Sequence, residues 1–456
     1  DAGQMQLRGR YIGSAATEDE GLVMLGSDQF VSVPAGLCVR TDGECAAGDA
    51  SCPPFAKAGA EFDLSITAVG WQSDGDSNLC EGNPVTPNFR LQDVPLTSGV
   101  VAPSGGAGTL TPNVYTHTRS ADATATVTAS VSEVGVFEFL ATPTAGGYLG
   151  KTVPQGTSGP AGRFYPDRFR VTVDPGELRA KCSVATPFTY TGQDIEWALA
   201  PNLEIEPLSV QGTRTVNYTE AGFLRLSETG ISRTTPLADS TALNRNGDAL
   251  TVTANVKDGA LNEISGEPGL LQFDYAGDDT VRYDKLPEAR VAQVDPDLEY
   301  TVTDIVDADG VRGADAPYSF TPAADFDVRY GRLTMDNVYG PENIAALLMP
   351  FRVEYWNGSR FVVNTADSCT DWNTADISSP AEHHTLAADA GTFSGGEAGP
   401  LSLQPAGSQG TDTLTWAVET WLTDDVDEDG SLDSPSALAT FGVYRGHDRV
   451  IYWRER

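Results

Sequence analysis

One repeated pattern constrains this chain more than any other feature. At three places an Asp precedes a Phe-led alternating run that reaches a Gly turn and then a Leu. The first is Asp28-Gln29-Phe30-Val31-Ser32-Val33 before Gly36-Leu37, and the second is Asp167-Arg168-Phe169-Arg170-Val171-Thr172-Val173 before Gly176-Glu177-Leu178. The third is Asp325-Phe326-Asp327-Val328-Arg329-Tyr330 before Gly331-Arg332-Leu333. The three phenylalanines sit roughly 140–160 residues apart, the size of an immunoglobulin-like sandwich with long loops. Val85-Thr86-Pro87-Asn88-Phe89 and Thr215-Val216-Asn217-Tyr218 read as a further matching pair. Strands also read at Ala58–Val69, Ala123–Val131, Val136–Ala141, Leu250–Val256 and Leu298–Val306, with Gly, Pro, Asn and Asp between them. Helical periodicity is nearly absent; Glu342–Leu348 is the best helical candidate, and Pro350 limits it to a turn or two.

The predicted fold is therefore all-β, a tandem array of immunoglobulin-like antiparallel β-sandwiches over residues 27–165, 166–323 and 324–456. Residues 1–26, with a possible strand at Met5–Ile12, either end a preceding module or add a strand to the first sandwich. Arg10-Tyr11 precedes the first repeat as Arg163-Phe164 precedes the second, which favours the former.

The clearest local element is Phe351–Cys369, where two runs rich in β-branched and aromatic residues flank Asn357-Gly358. That pair suits a two-residue type I′ turn, because both central residues need positive φ. The resulting register opposes Trp356 to Ser359 and Tyr355 to Arg360. It puts Phe351, Val353, Tyr355 and Val362 on a core face, and Arg352, Glu354, Trp356, Phe361 and Val363 on a mixed surface.

With 29 basic against 64 acidic residues, the formal charge of −35 disfavours nucleic acid and anionic lipid as partners and favours divalent cations. No run approaches the ~18 apolar residues of a membrane span, and the polar opening is no signal peptide, so the chain reads as part of a longer secreted precursor. Six cysteines, Cys38, Cys45, Cys52, Cys80, Cys182 and Cys369, suit disulfides in an oxidising compartment. Pairing within the first four allows three patterns, and Cys182–Cys369 would then remain, stapling the second module to the third.

The sharpest chemical motif is Asp425-Val426-Asp427-Glu428-Asp429-Gly430-Ser431-Leu432-Asp433. Carboxylates stand at loop positions 1, 3, 5 and 9, Gly430 occupies the sharp-turn position, and Ser431 would offer its backbone carbonyl. The expected cofactor is one calcium ion held by Asp425, Asp427, Asp429, Ser431 and Asp433, although position 12 is Ser436 rather than the bidentate Glu. The loop would join strands Leu414–Trp421 and Ala439–Tyr444. The acidic turns Asp74–Asn78 and Asp307–Gly310 read as hairpin connections, and Gly105–Gly108 as a flexible loop. Glu382-His383-His384 is not a zinc-protease motif and reads as a surface loop; no nucleophile elbow or P-loop occurs, so no catalytic residue is expected. Asn217-Tyr218-Thr219 and Asn357-Gly358-Ser359 fit the glycosylation acceptor pattern, the second being explained already by the hairpin turn. Tyr355, Trp356, Trp372, Trp416, Trp421 and Trp453 concentrate aromatics in the last module, where an exposed cluster could stack on sugar rings.

Several stretches carry a family resemblance: Phe164–Phe169, Phe188–Gln193, Tyr330–Leu333, Val353–Gly358, Asn364–Cys369, the acidic loop, Ala439–Gly446 and Ile451–Glu455. Together they resemble the C-terminal region of MshQ-like surface proteins of the mannose-sensitive haemagglutinin (MSHA) pilus system of Gram-negative bacteria. The likeness runs from about residue 27 to the end and is more specific in the C-terminal part. It implies a non-enzymatic module at the cell surface, associated with a type IV pilus, whose partners are pilins or other copies or subunits of a surface fibre. The competing expectation is a calcium-dependent adhesin that binds glycan or another surface ligand directly.

Overall fold

The computed structural model describes residues 1–238, 243–244, 246–288 and 290–442. Tyr444, His447, Trp453 and the Ile451–Glu455 part of the resemblance lie outside them. Among the described residues there is no α-helix; strands and a few short 3-10 turns make up the regular structure. The molecule is a series of immunoglobulin-like β-sandwiches, in which alternating apolar residues of facing sheets meet in three cores.

In the first module, Gly36–Arg40, Phe62–Val69, Thr124–Val131 and Leu110–Thr111 form one sheet. Ala161–Tyr165, Gly135–Ala141, Leu91–Ala102 and Val114–His117 belong to the other. Strand Phe62–Val69 shows why: Phe62, Leu64, Ile66 and Ala68 all point inward and are buried, while Asp63 is exposed. The second module pairs Arg168–Asp174 with Asn202–Leu208, and Glu177–Arg179 with Ile195–Leu199. The third is built on Gly331–Met335 beside Phe351–Trp356, and on Gly410–Trp416 beside Ser436–Phe441.

The joints between modules are as well packed as the modules. Cys52, Ala58, Val134 and Val136 of the first belong to the same apolar core as Phe169, Tyr218 and Phe223 of the second. Around them, Arg163 forms a two-point ion pair with Asp309, its Nη2 lying 2.7 Å from Oδ1. Asn217 spans the joint: its Nδ2 donates to Gly106 O at 2.8 Å and Val134 O at 2.9 Å, and its Oδ1 accepts from Gly106 N at 2.9 Å. Glu133 accepts from the backbone N–H groups of Val216 and Asn217, both at 3.1 Å, and burial raises its carboxyl pKa. At the next joint, Cys182, Phe188 and Tyr190 leave the second module to enter the third core. Phe188–Tyr190 pairs in parallel with Asp327–Arg329. Tyr190 donates to Asp367 Oδ2 at 2.8 Å and accepts from Asn364 Nδ2 at 2.6 Å, and burial raises its hydroxyl pKa far above the ordinary value.

Several sequence expectations change in three dimensions. The first repeat does not match the other two: Phe30 is 49% exposed while Phe169 is 0% and Phe326 is 7%. Val23–Ser32 pairs with Gly3–Ile12 in a separate two-stranded ribbon, so residues 27–32 lie in the ribbon and not in the first sandwich. Val85–Phe89 joins the sheet by a single bridge at Val85, with Thr86 donating to Ala68 O, and forms no strand, while Val216–Thr219 is a 3-10 turn, so that pair is not a strand match. Glu342–Leu348 is not helical. So short a segment cannot offset helix nucleation, and Leu347 and Met349 instead alternate into the core as a strand.

The hairpin keeps its faces but not its register. Trp356 opposes Phe361 and Tyr355 opposes Val362, which leaves a four-residue loop. Asn357 explains the slip: its Oδ1 accepts from the backbone N–H of Ser359 and of Arg360, both at 3.0 Å. This side-chain-built turn replaces the two-residue type I′ turn. The slip is two residues, one full side-chain period, so the core face is unchanged.

Candidate functional site

The acidic loop follows the short 3-10 turn Thr420–Leu422 and leads into strand Ser436–Phe441. Its neck is closed by Asp424 and Asp433, which face each other as a backbone bridge. Inside the loop, Asp425 accepts from the N–H of Asp429 at 3.0 Å and of Gly430 at 3.1 Å. Asp427 accepts from Asp429 N at 3.2 Å, and Asp433 from Val426 N at 3.3 Å. Gly430 has φ +89°, a left-handed conformation that glycine adopts without strain. The result brings carboxylate oxygens of Asp425, Asp427 and Asp433 within 4.8 Å of one another. Asp429 is outside that trio and caps Ser431 N at 2.8 Å. Such a cluster of hard oxygens is the donor set that suits Ca²⁺.

What the sequence did not reveal is where the loop is anchored. Asp424, at its neck, is buried and accepts from Arg290 Nε at 2.8 Å and from Arg332 Nη1 at 3.2 Å. Arg290 belongs to the second module and also donates to the backbone carbonyl of Asp425. Arg332 in turn pairs with Glu354 at 2.8 Å, and Glu354 with Arg352 at 2.8 Å. Lys285 lies in the same layer, its ammonium 3.2 Å from the Tyr330 ring centroid. Burial holds its pKa well below the ordinary value, and Arg290 and Arg332 push the same way while Asp424 opposes them. Trp356 and Phe361 pack here too, with the Arg332 guanidinium 3.7 Å from the Phe361 ring centroid. The hairpin face expected to be a mixed surface is therefore the seal between the second and third modules. An arginine-over-aromatic layer has no sequence periodicity, so no local pattern announces it.

The cysteines pair as Cys38–Cys80, Cys45–Cys52 and Cys182–Cys369. Asp307, expected in a simple hairpin turn, is buried: it accepts from Asp309 N and Val311 N, both at 2.9 Å, and from Tyr218 Oη at 2.8 Å. Gly106 is clamped by Asn217, so its loop is a contact rather than a flexible tether. Asn217 itself is 1% exposed, and its amide is consumed at the joint, which removes it as a glycosylation acceptor. His384 is a core residue, not part of a surface loop; its Nδ1 meets Asp412, and its ring stacks on Phe441 at 6° between planes. His383 donates its backbone N–H to Asp412 at 3.0 Å, which helps hold that carboxyl below its ordinary pKa. The His383 ring instead meets Ser408 Oγ at 2.9 Å, so the two adjacent rings point to different partners.

Among the aromatics, Trp356 belongs to the module joint, whereas Trp372, Trp416 and Trp421 line a cleft where the second module meets the third. No helix among the described residues is long and apolar enough to cross a membrane.

Comparison with known proteins gives three family matches and a larger set of distant structural ones. Among solved structures, invasin, a bacterial integrin-binding protein, matches with 11% identity and a TM-score of 0.26, covering 83% of this chain and 56% of that one. InvD of Yersinia pseudotuberculosis matches with 12% identity and a TM-score of 0.21, covering 89% and 97%. No curated protein matches. Residues 33–128, 133–330 and 329–456 match, in order, the second, third and fourth domains of DUF6701. The chain belongs to the multi-domain DUF6701 family and carries its second, third and fourth domains in series.

Proposed function

We propose that this chain is a non-enzymatic, extracellular structural module, a stiff spacer within a pilus- or fibre-associated surface protein of a Gram-negative bacterium. The observation that carries this reading is the sealing of both module joints. Interfaces between domains of one chain are ordinarily polar and mobile. Here apolar cores run across the boundary and buried ion pairs are fully engaged, as in the Arg163–Asp309 pair with side chains 4% and 8% exposed. A chain built in this way transmits force and orientation instead of acting as a set of loosely tethered beads. Three disulfides suit an oxidising exterior. The MshQ-like resemblance supplies the type IV pilus setting, with pilins or further subunits of the fibre as partners.

The test is small-angle scattering of the purified chain, together with cross-linking on cells. The expected results are a single elongated particle without inter-module flexibility and cross-links to fibre subunits. A flexible ensemble, or a protein that never associates with a surface fibre, would rule this reading out.

The acidic loop fits into the same reading as a calcium staple. Asp425, Asp427 and Asp433 supply the first oxygens, and Asp424 links the loop to the second module through Arg290. Sites of this kind in extracellular proteins bind calcium in roughly the 0.1–1 mM range. At millimolar calcium the added stability is about 1 kcal/mol, a melting shift of about 2–4 °C. Chelation is expected to remove that shift from the native chain and to leave Asp427→Ala unaffected. Equal melting with and without calcium in the native chain would exclude the site.

A further inference from the structure

A cleft of ≈ 980 Å³ lies where the second module meets the third, between the strand pair Asp371–Asn373 and Ala390–Thr392 and the turn Thr420–Leu422. Its floor is aromatic and its rim is acidic and amide-bearing. Trp416 is buried beneath it, Trp372 is half-buried in its wall, and Trp421 is half-exposed at its edge. Trp421 does not swing freely: it stacks on buried Tyr190, centroids 5.4 Å apart and planes inclined by 16°. Gly192 permits this approach, since a Cβ there would come within 3.1 Å of Trp421 Cβ. One face of the indole is thus held by the second module.

We infer that this cleft binds a neutral oligosaccharide, with Trp421 as stacking platform and Asp371, Asn373, Asp376 and Glu419 reading hydroxyl groups. Pyranose rings present an apolar C–H face and a periphery of hydroxyls, and a pocket for them needs a fixed aromatic surface beside convergent polar groups. Asp371 spends one oxygen on Thr392 Oγ1 at 2.7 Å, which orients the other. Asn373 spends its Oδ1 on Ala375 N at 2.9 Å, which leaves its NH₂ group to donate. The carboxylates of Asp376 and Glu419 have no hydrogen-bond partner among the described residues and are exposed as acceptors. Hydrogen bonds from sugar hydroxyls to such ionised groups are of the stronger kind.

Charge decides against the other ligand classes. Acidic glycans and phosphates would meet three carboxylates, while the single lysine of the rim, Lys181, is already paired with Glu196 at 2.7 Å. Because Trp421 is fixed before ligand arrives, little side-chain entropy is lost on stacking. The cleft is independent of the spacer reading: its test is a binding measurement, whereas that of the spacer is shape and fibre association.

The experiment uses the intact chain on an array of neutral, sialylated and sulfated oligosaccharides, with an oligolysine peptide as control. The strongest neutral ligand is then titrated by tryptophan fluorescence. Binding is expected among neutral oligosaccharides, abolished in Trp421→Ala. It is expected to weaken about tenfold or more in the Asp376→Asn, Glu419→Gln double variant, as for loss of charge-assisted hydrogen bonds. The double variant alters exposed groups only and is expected to keep the native melting temperature, so its loss of binding cannot be ascribed to unfolding. Binding restricted to acidic glycans or to oligolysine, no binding to any neutral oligosaccharide, or full affinity in the double variant would overturn the assignment.

Discussion

Replacing Cys182 and Cys369 together by serine is expected to destabilise the third module by about 5 kcal/mol. The bridge closes a loop with a sequence separation of 187 residues, so its loss restores a large amount of chain freedom to the unfolded state. The effect is concentrated in the third module because Cys182, Phe188 and Tyr190 are part of its core. Tryptophan fluorescence is a suitable reporter, since Trp372, Trp416 and Trp421 all pack there. The expected drop in melting temperature is about 10–20 °C for that transition as read by tryptophan fluorescence. A double variant in which the two modules still melt as one unit, at the native temperature, would show that the bridge is incidental to the joint. Reduction of Cys45–Cys52, which encloses a separation of only 7 residues, is expected to matter far less.

The second large effect is expected from Asp424→Ala. This change leaves Arg290 and Arg332 without their shared carboxylate in a layer where the Asp424 side chain is 2% exposed and that of Arg290 is 9% exposed. Breaking one partner of a buried ion pair typically costs 3–5 kcal/mol, because the remaining charges stay desolvated. Denaturant unfolding measures this loss, and limited proteolysis near the joint locates it. The deficit also carries a pH signature. Asp424 is the group that opposes the fall of the Lys285 pKa, so its removal lowers that pKa further. Between the lowered folded value and the ordinary 10.5, the unfolded chain binds a proton that the folded chain does not, so stability rises with pH. The cost of Asp424→Ala is therefore expected to shrink as the pH rises through the native chain's lowered Lys285 pKa and to stay constant from there up to 10.5, where both chains keep Lys285 neutral when folded. A deficit independent of pH would mean that Lys285 does not sense Asp424.

Both results bear on the spacer reading, because both act on the same joint by different means. One is a covalent tie and the other a buried charge layer. Calcium in the acidic loop would add a third, since the loop neck at Asp424 is itself part of that layer. The order of effect is disulfide, then charge layer, then calcium.

The all-β architecture was legible from residues 62–69 or 351–356 alone, where apolar side chains recur at every second position. The core face of the hairpin was legible for the same reason, and it survived a two-residue error in register because that error equals the side-chain period. The acidic loop was legible because its turn is local: each carboxylate finds N–H groups no more than seven residues away. Asp425, Asp427 and Asp433 converge, while Asp429 turns to cap Ser431, a choice between two local partners that spacing cannot settle.

The errors share a different cause. Asn217 read as a glycosylation acceptor, His384 as a surface residue and the Trp356 face as solvent-exposed, yet all three are buried or half-buried by partners far away in sequence. Asn217 meets Gly106 across 111 residues, and Arg290 meets Asp424 across 134. A polar residue at a module joint has the same local signature as one facing water, because polarity reports the wish for a hydrogen-bond partner and not whether water or protein provides it. The sequence by itself determined the strands, their inward faces and the carboxylate-rich turn, all set by interactions over a few residues. Only the tertiary structure decided that the modules are fused, that the turn is rooted in the joint, and that Trp421 is held beside an acidic rim. Those features depend on which desolvated groups meet, and that is fixed only when distant segments pack.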